Sequence, residues 1–348
     1  MYEACTFNFQ SETARKPNPL DYITQKTACS MAPSGTPHPL WDEFLNKITN
    51  ENAELQKFLQ RYIGYCCTGI TNEHVFVFAW GTGANGKGTF INTIVRIFGD
   101  YATVADMNTF LVTKNERHPT DLAKLYGKWL VVAQEVEKGR RWDEAKIKTL
   151  TGGDKITARF MRQDFFDFVP TFKLFIVGNQ KPRLNHVDEA IRRRLLLVPF
   201  TVKIPESERD PKLAEKLWDQ ERWAILRWCV EGGIDWKNNG LNPPKIVLEA
   251  TDNYFSDQDI LGQWIDESIE PALNQEMLTR DLFTAWKLWC GDRNLSYGSE
   301  KSFSESMVER GFVKDRQGGT GRIIFKNIIL KKSSTPATEK ENLYGTPS

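Results

Sequence analysis

Residues 81–89, with the sequence GTGANGKGT, have the composition of a loop that binds phosphate groups. Glycines let backbone N–H groups turn toward anionic oxygens without a Cβ clash, and a lysine reaches the β- and γ-phosphates. We therefore predict that this segment, the phosphate loop, binds ATP; the alternative is a glycine-rich turn without a ligand. The predicted nucleotide-binding residues are Gly81, Gly83, Ala84, Asn85, Gly86, Lys87, Gly88 and Thr89.

The residue after Lys87 departs from the common form of such loops. Serine or threonine usually stands there and holds Mg²⁺ through its hydroxyl, whereas this chain has Gly88. Thr89 follows, so either its hydroxyl or a water molecule takes that place. We predict that Lys87 is catalytic and that Thr89 is a metal ligand.

Two polar residues follow apolar segments that have the character of strands. Glu135 comes directly after residues 129–133 and is predicted to hold Mg²⁺ and polarise the attacking water. If that strand continues, Glu137 lies on the same side as Glu135. Asn179 follows residues 172–177, and its amide is predicted to orient the lytic water. The alternatives are a surface glutamate at a strand end and an ordinary turn asparagine.

Three consecutive arginines, at positions 192–194, precede another apolar segment. Consecutive side chains point in different directions, so at most two of them can serve one site. A guanidinium can stabilise charge on a transferring phosphoryl group, often across a subunit boundary. We predict this catalytic role for Arg193 or Arg194, which would imply an oligomer; the alternative is a solvated basic face.

Positive charge is concentrated beside the predicted ATP site. Residues 138–163 contain eight Lys or Arg and three acidic residues, a net charge of +5. Two β-rich runs within residues 155–169 flank a polar turn, which predicts a β-hairpin. Such a hairpin suits DNA binding, and Lys155, Arg159 and Arg162 are the predicted DNA-binding residues. The alternative is a charged surface hairpin.

These residues need strands that end at one edge of a sheet. Residues 74–80 form a nearly continuous apolar run, typical of a strand buried on both faces, and residues 90–98 have helical periodicity. Because strands and helices alternate, we predict an α/β sheet with helices on both faces. Further strands are predicted at 129–133, 172–177 and 195–200.

The remaining segments are organised around this core. Residues 277–330 contain two helical patterns followed by a two-stranded ribbon, and residues 280–332 carry eleven Lys or Arg against six acids. Gly232-Gly233 and Pro243-Pro244 are predicted to interrupt helices. The predicted domains are an extended arm (1–40), a helical collar (41–70), an ATPase core (71–205), a helical subdomain (206–275), a winged-helix-like DNA-binding domain (276–331) and a disordered tail (332–348).

Bulk composition is that of an ordinary globular chain. The formal net charge of the 348 residues is +1, so any DNA contact must come from local patches. The six cysteines show no C-x-x-C spacing, and the four histidines show no metal-binding pattern, so reduced thiols are expected. Without a signal pattern or an apolar run of membrane-spanning length, we expect a soluble, cytoplasmic protein that makes no membrane contact.

Together these motifs resemble the C-terminal helicase portion of phage and plasmid primase–helicases, members of helicase superfamily 3 within the AAA+ class. The resemblance runs from about residue 21 to residue 330. The most specific string is TGGDKITAR, at residues 151–159. The other matching strings are GTGANGKGTF (81–90), KWLVVAQE (128–135), PTFKL (170–174), GNQKP (178–182) and RRL (193–195) leading to PF (199–200).

The resemblance implies an AAA+ P-loop NTPase core with an N-terminal helical collar and a C-terminal helical and winged-helix domain. It also implies a homo-oligomeric ring, usually hexameric, that uses ATP and Mg²⁺ to move along single-stranded DNA in the 3′-to-5′ direction. By position, Lys87 binds phosphate, Glu135 is the second-motif acid, Asn179 is the first sensor, and Arg193 or Arg194 is the finger.

Two further residue assignments come from the same resemblance. Asp154, Lys155 and Arg159 fall in the segment that such proteins use for a DNA-facing hairpin. Many members carry two adjacent acids where this chain has Gln134 and Glu135, which leaves Glu137 as a second candidate for the catalytic base.

The longer members of that family also carry a primase or polymerase domain. Residues 1–40 are too short for one, so we expect primer synthesis to reside on another chain or on a removed domain. The leading hypothesis is a replicative DNA helicase of a mobile element. The alternatives are a DNA-binding AAA+ ATPase that does not unwind, such as an origin initiator or remodeller, and a nucleotide-binding switch with little turnover.

Overall fold

The computed structural model describes residues 3–113, 120–184 and 188–331. His118, His186 and the predicted tail at 332–348 lie outside the described residues. The chain divides into two compact units, Met1–Gln258 and Asp259–Ser348. Among the described residues, no helix combines the length and apolar character needed to cross a membrane.

The first unit begins with a short antiparallel hairpin and an irregular segment that lies along the core. The amide of Ala28 donates to the carbonyl of Ile97 at 2.9 Å, and that of Ala32 donates to Trp223 at 3.1 Å. Two helices follow, and their apolar faces are buried. The first elements are β1 Thr6–Asn8, β2 Thr13–Arg15, α1 Pro39–Thr49 and α2 Ala53–Cys66.

Five of the next seven strands form a parallel sheet in the order β4-β5-β8-β3-β9, and the other two form a hairpin. These strands are β3 Phe76–Trp80, β4 Ala102–Val104, β5 Leu130–Gln134, β6 Ile156–Ala158, β7 Phe166–Phe168, β8 Lys173–Gly178 and β9 Leu195–Pro199. The α/β sheet predicted from the sequence is therefore confirmed, with parallel strands, and so is the hairpin.

Strand β3 shows why the sheet is covered on both faces. Val77 and Ala79 belong to one hydrophobic core, and Phe76 and Phe78 belong to the core on the opposite face. Alternating side chains of one strand point to opposite faces, so a continuous apolar run satisfies both cores. The helices that accompany these strands are α3 Lys87–Phe98, α4 Thr120–Ala123, α5 Glu144–Gly152, α6 Glu189–Arg192, α7 Leu213–Lys216, α8 Arg222–Asn239 and α9 Lys245–Gln258, with a π-helical turn at Leu217–Glu221.

Helices α2 and α8 pack at unusually close range. A Cβ on Gly64 would lie 1.9 Å from the nitrogen of Gly233, and one on Gly232 would lie 2.1 Å from the carbonyl oxygen of Gln60. The prediction that Gly232-Gly233 interrupts the helix was wrong, because α8 continues through both residues. Glycine is needed here for the approach of two backbones. The break expected at Pro243-Pro244 is present, between α8 and α9.

The second unit has its own core, in which Trp264 packs against Trp286 at 5.6 Å and against Phe303 at 5.5 Å between ring centroids. Its three antiparallel strands have the order β10-β12-β11. Because Trp264 belongs to this core, the boundary lies at 258/259, whereas the sequence placed it at 275/276. The elements are α10 Ile260–Ser268, β10 Ile269–Leu278, α11 Thr279–Asp292, α12 Glu300–Glu309, β11 Lys314–Arg316 and β12 Ile323–Leu330.

Candidate nucleotide site

A cleft of about 940 Å³ opens beside the phosphate loop, at the carboxyl ends of β3, β5 and β8. Its size falls within the range of about 300–1,000 Å³ that is usual for ligand pockets. The parallel register places the ends of these strands level, because Trp80 pairs with Gly178, and Gln134 pairs with Val177. The cleft, called the main cleft below, is lined by residues 83–89, 104–108, 134–137 and 177–179 together with Leu111 and Arg140.

The phosphate loop adopts backbone conformations that depend on its glycines. Gly83 has φ +106° and Gly86 has φ +79°, and both values lie in the region that favours glycine. A Cβ on Gly81 would lie 2.2 Å from the carbonyl oxygen of Phe200. Ala84, with φ +52°, is a non-glycine residue in the left-handed region. Such strain is commonly found at functional sites.

Lys87 is the first residue of α3 and is 4% exposed. Its ammonium donates to the carbonyl of Gly81 and to Oδ1 of Asn85, each at 2.8 Å. Asn85 in turn donates through Nδ2 to the carbonyl of Phe200 at 3.0 Å. Burial lowers the pKa of Lys87 to about 8. Asn85 therefore orients the lysine, a role that its place in the motif alone does not indicate.

Thr89 and Gly88 both line the main cleft in the first turn of α3. A Cβ built on Gly88 would meet no heavy atom within 4 Å. Space for the usual serine or threonine side chain is therefore present, although the chain does not provide one.

The acidic residues lie where the sequence predicted them, but the backbone between them is not a strand. Strand β5 ends at Gln134, and Glu135 has φ +69°. The alternation that would place Glu135 and Glu137 on one side therefore does not apply. Both glutamates nevertheless line the main cleft and are exposed. Glu137 accepts a hydrogen bond from Nη1 of Arg140 at 3.1 Å.

Asn179 directly follows β8, which lies between β3 and β5 in the sheet. It is exposed and lines the main cleft. The structure thus brings Lys87, Thr89, Glu135 and Asn179 together in one cavity.

The arginines at 192–194 do not line the main cleft of their own chain. Arg192 forms an ion pair with Asp252 at 3.1 Å. Arg194 is 8% exposed, and its Nη1 donates to the carbonyl of Ala190 at 2.7 Å. Burial is the main cause that lowers the pKa of Arg194. Arg193 is exposed.

The predicted DNA-binding residues lie on the β6–β7 hairpin and outside the main cleft. Lys155 and Arg162 are exposed, and Arg162, in the turn, has φ +60°. The guanidinium of Arg159 lies over the ring of Phe165, 4.7 Å from its centroid. The DNA-binding prediction rested on the basic residues of this hairpin and not on its aromatic ones.

The main cleft also contains polar and charged residues that the sequence did not single out, among them Asp106, Asn108 and Arg140. The first two follow β4 in a segment without motif character. Arg140 belongs to the basic stretch at 138–163. The sequence gives no sign that it lines the main cleft while the hairpin residues of the same stretch do not. The isolated bridge between Arg141 and Arg183 holds this segment beside the end of β8.

The residues of the main cleft fit a magnesium–nucleotide complex. Mg²⁺ prefers oxygen ligands and is commonly held by one or two carboxylates together with phosphate oxygens. Glu135 and Thr89, which both line the main cleft, offer such oxygens. Within the described residues no three His, Cys, Asp or Glu side chains cluster as a metal site.

Comparison with protein families gives one match: residues 79–194 match the Family of unknown function (DUF5906). The matched segment contains the phosphate loop, Glu135 and Asn179, and it ends at the consecutive arginines.

Several viral proteins are similar in sequence. The chain is 26% identical over 270 residues to "Putative helicase L207/L206" of Acanthamoeba polyphaga mimivirus, covering 71% of this chain and 28% of that protein. It is 24% identical to "Putative helicase 022R" of Frog virus 3 (isolate Goorha), with coverages of 67% and 26%. A third relative, "Putative helicase V13" of Sputnik virophage, is 29% identical, with coverages of 58% and 25%. The chain thus spans about a quarter of the length of these relatives.

Solved structures share the fold at low sequence identity. The apo structure of the NrS-1 C-terminal region superposes with a TM-score of 0.55 and 11% identity, covering 88% of this chain and 79% of that one. Its A-form apo structure gives 0.52 and 10%. These matches agree with a mixed α/β fold built on a parallel central sheet.

Proposed function

We propose that this chain hydrolyses ATP and uses the energy to unwind DNA. The observation that carries the proposal is the convergence of Lys87, Glu135 and Asn179 on one cleft, from three adjacent strands of a parallel sheet. The helicase names of the viral relatives support the coupling to DNA. Since the chain covers only part of those proteins, their complete activities are likewise proposals for it.

Each residue has a role that follows from its position. Backbone amides of the phosphate loop and the Lys87 ammonium bind the β- and γ-phosphates, and Asn85 keeps the lysine aimed along the loop. Glu135 accepts the proton of the attacking water, and the Asn179 amide orients that water. Glu135 and Thr89 would hold Mg²⁺, which would supply positive charge beside the phosphates.

The strand order supports an AAA+ type of core, and the motif resemblance favours superfamily 3. An additional strand, β8, stands between the strand before the phosphate loop and the strand before Glu135. We extend the proposal to a homo-oligomeric ring, hexameric by resemblance alone, that moves on single-stranded DNA. In that ring Arg193 acts on the site of a neighbouring copy, and a primase or polymerase acts from another chain or domain.

The test compares strand displacement by the wild type and by Lys87→Ala. We expect the variant to lose ATP hydrolysis and unwinding by a factor of about 10²–10³, since removing one charge-stabilising group from an active site has effects of that size. Lys245→Ala, which removes an exposed ammonium from α9, is the matched control and should unwind normally.

Two results would contradict the proposal. Unwinding by Lys87→Ala would show that the phosphate loop does not power the reaction. ATP hydrolysis by a ring-forming wild type that displaces no strand, and that responds to duplex origin DNA or a protein, would point to an initiator or remodeller.

A further inference from the structure

The main cleft contains a second cation that no sequence motif identifies. Among the described residues that line the cleft, Lys87 and Arg140 are the two with a positively charged side chain. Lys87 belongs to the phosphate loop, whereas Arg140 comes from the segment after β5 that also supplies Glu135 and Glu137. A polyphosphate placed in this cleft therefore meets cationic groups from two separate segments of the chain.

Arg140 is held in place by its backbone. The amide of Arg183 donates to the carbonyl of Arg140 at 2.8 Å, and the amide of Val112 donates to the carbonyl of Arg141 at 2.9 Å. These bonds fix the segment between the end of β8 and the residues that follow β4. The backbone position of Arg140 is thus set by hydrogen bonds to two other segments of the chain.

The guanidinium is oriented by a neutral partner. Nη2 of Arg140 donates to Oδ1 of Asn108 at 2.6 Å. Asn108 is itself fixed, because its backbone amide and Nδ2 donate to Oδ1 of Asp106 at 2.8 and 3.0 Å. A guanidinium has five N–H groups in a planar fork, so an amide can aim it while donors remain for an anion.

The charged partner of Arg140 is easily exchanged. Glu137 accepts from Nη1 at 3.1 Å, but the glutamate side chain is 81% exposed. Exposed ion pairs of this kind are weak, whereas a guanidinium binds phosphate oxygens in a strong bidentate arrangement. Phosphate therefore competes well with Glu137.

This pairing also separates the two candidate bases. Glu137 is engaged with Arg140, whereas the side chain of Glu135 makes no hydrogen bond or ion pair within the described parts of the chain. Glu135 is in addition held in a left-handed backbone conformation at the end of β5. The geometry assigns proton acceptance to Glu135 and leaves Glu137 as the ion-pair partner of Arg140.

We propose that Arg140 binds the γ-phosphate of the nucleotide in its own subunit, and that Glu137 is the partner it leaves when ATP enters. The proposal rests on the nucleotide-hydrolysing function given above. It makes Arg140 a residue that distinguishes ATP from ADP, because only ATP offers the terminal phosphate.

The test is equilibrium binding of ADP and of the non-hydrolysable analogue AMP-PNP to the full chain, by calorimetry. For Arg140→Ala we expect AMP-PNP affinity to fall about tenfold or more, as for loss of a charge-assisted hydrogen bond, with ADP affinity changing less than about threefold. Arg140→Lys should recover only part of the loss, because an ammonium cannot bind in bidentate fashion. Arg141→Ala, one residue on and outside the cleft lining, is the charge-matched control.

Hydrolysis provides an independent readout. Glu135→Gln should lower kcat at least about 100-fold, and Glu137→Gln less than about tenfold with a lowered KM for ATP. Equal losses of affinity for ADP and for AMP-PNP in Arg140→Ala would overturn the proposal. A loss of kcat in Glu137→Gln equal to that in Glu135→Gln would overturn it as well. Failure of the wild type to bind either nucleotide would instead refute the nucleotide-hydrolysing function.

Discussion

Gly88 and Thr89 determine how the phosphate loop can hold a metal. In the common loop a hydroxyl follows the lysine directly, and here that position has no side chain. Successive helical residues are about 100° apart around the helix axis, so the Thr89 hydroxyl approaches the metal from a different direction than a side chain at 88 would. Both positions nevertheless line the main cleft. Mutation can therefore move the hydroxyl group from position 89 to position 88.

For Thr89→Ala we expect the Mg²⁺ concentration that gives half-maximal ATP hydrolysis to rise about tenfold, a change of about 1.4 kcal/mol. Adding Gly88→Ser should restore it, because no heavy atom lies within 4 Å of the Cβ that this change adds. Serine also has a higher helix propensity than glycine. The measurement is ATP hydrolysis against Mg²⁺ concentration.

Thr82→Ala, an exposed loop residue outside the cleft lining, is the control for loss of a nearby hydroxyl. An unchanged Mg²⁺ requirement in Thr89→Ala would show that water, and not Thr89, replaces the usual ligand.

At the scale of elements, the β6–β7 hairpin combines a buried base with an exposed tip. Ile156 and Phe168 pair across its base and are buried in the core beneath the sheet. Near the turn, Met161 is 70% exposed and Phe165 is 57% exposed. Aromatic rings beside cationic groups are the usual means of holding single strands without base specificity. We therefore assign stacking to Phe165 and phosphate contacts to the basic residues around it.

The two contributions can be separated by their dependence on salt. Phe165→Ala should weaken binding of single-stranded DNA by about 1–3 kcal/mol with the salt slope unchanged, because stacking releases no counterions. Arg162→Ala should instead lower the slope of log K against log salt by about 0.7. Fluorescence anisotropy of a labelled oligonucleotide, at several salt concentrations, measures both quantities.

Leu248→Ala, which removes an exposed apolar side chain from α9, should affect neither quantity. If Phe165→Ala changed the slope as much as Arg162→Ala does, stacking would not be its role.

Elements whose signals are local could be predicted from the sequence, and those that depend on distant partners could not. Strand β3, its loop and α3 follow from a single continuous pattern, as do the ends of β5 and β8. Strand β10 was missed because an edge strand with Pro271 and few buried residues lacks the apolar alternation of a strand. The continuity of α8 through Gly233 depends on its contact with Gly64. The place of Arg140 in the main cleft likewise depends on pairing beside β8.

At the scale of the whole molecule, the three consecutive arginines differ in what they can reach. Arg192 is paired with Asp252, and Arg194 is buried against Ala190. The side chain of Arg193 is exposed and makes no hydrogen bond or ion pair within residues 3–113, 120–184 and 188–331. Since none of them lines the cleft of its own chain, a catalytic Arg193 must act on a second copy. A phosphate site completed across a subunit boundary would make the oligomer, and not the monomer, the active species.

Mixing two inactive variants tests this arrangement. Lys87→Ala destroys the phosphate loop but keeps Arg193, and Arg193→Ala does the reverse, so each is expected to hydrolyse little ATP alone. In randomly mixed rings, about one interface in four joins an intact loop to an intact arginine. We therefore expect the mixture to recover hydrolysis to about a quarter of the wild-type rate, measured at fixed total protein after subunits have exchanged.

Arg192→Ala serves as the matched control for this experiment, because it removes a neighbouring guanidinium that is already paired within its own chain. Arg192→Ala should hydrolyse ATP by itself. Mixed with Lys87→Ala, it should give only the activity of the Arg192→Ala subunits that are present. Mixed rings of Lys87→Ala and Arg193→Ala that stay inactive, although exchange is demonstrated, would place Arg193 outside catalysis. Full activity of Arg193→Ala by itself would also place Arg193 outside catalysis. A site that works without a second copy does not depend on an arginine outside its own cleft.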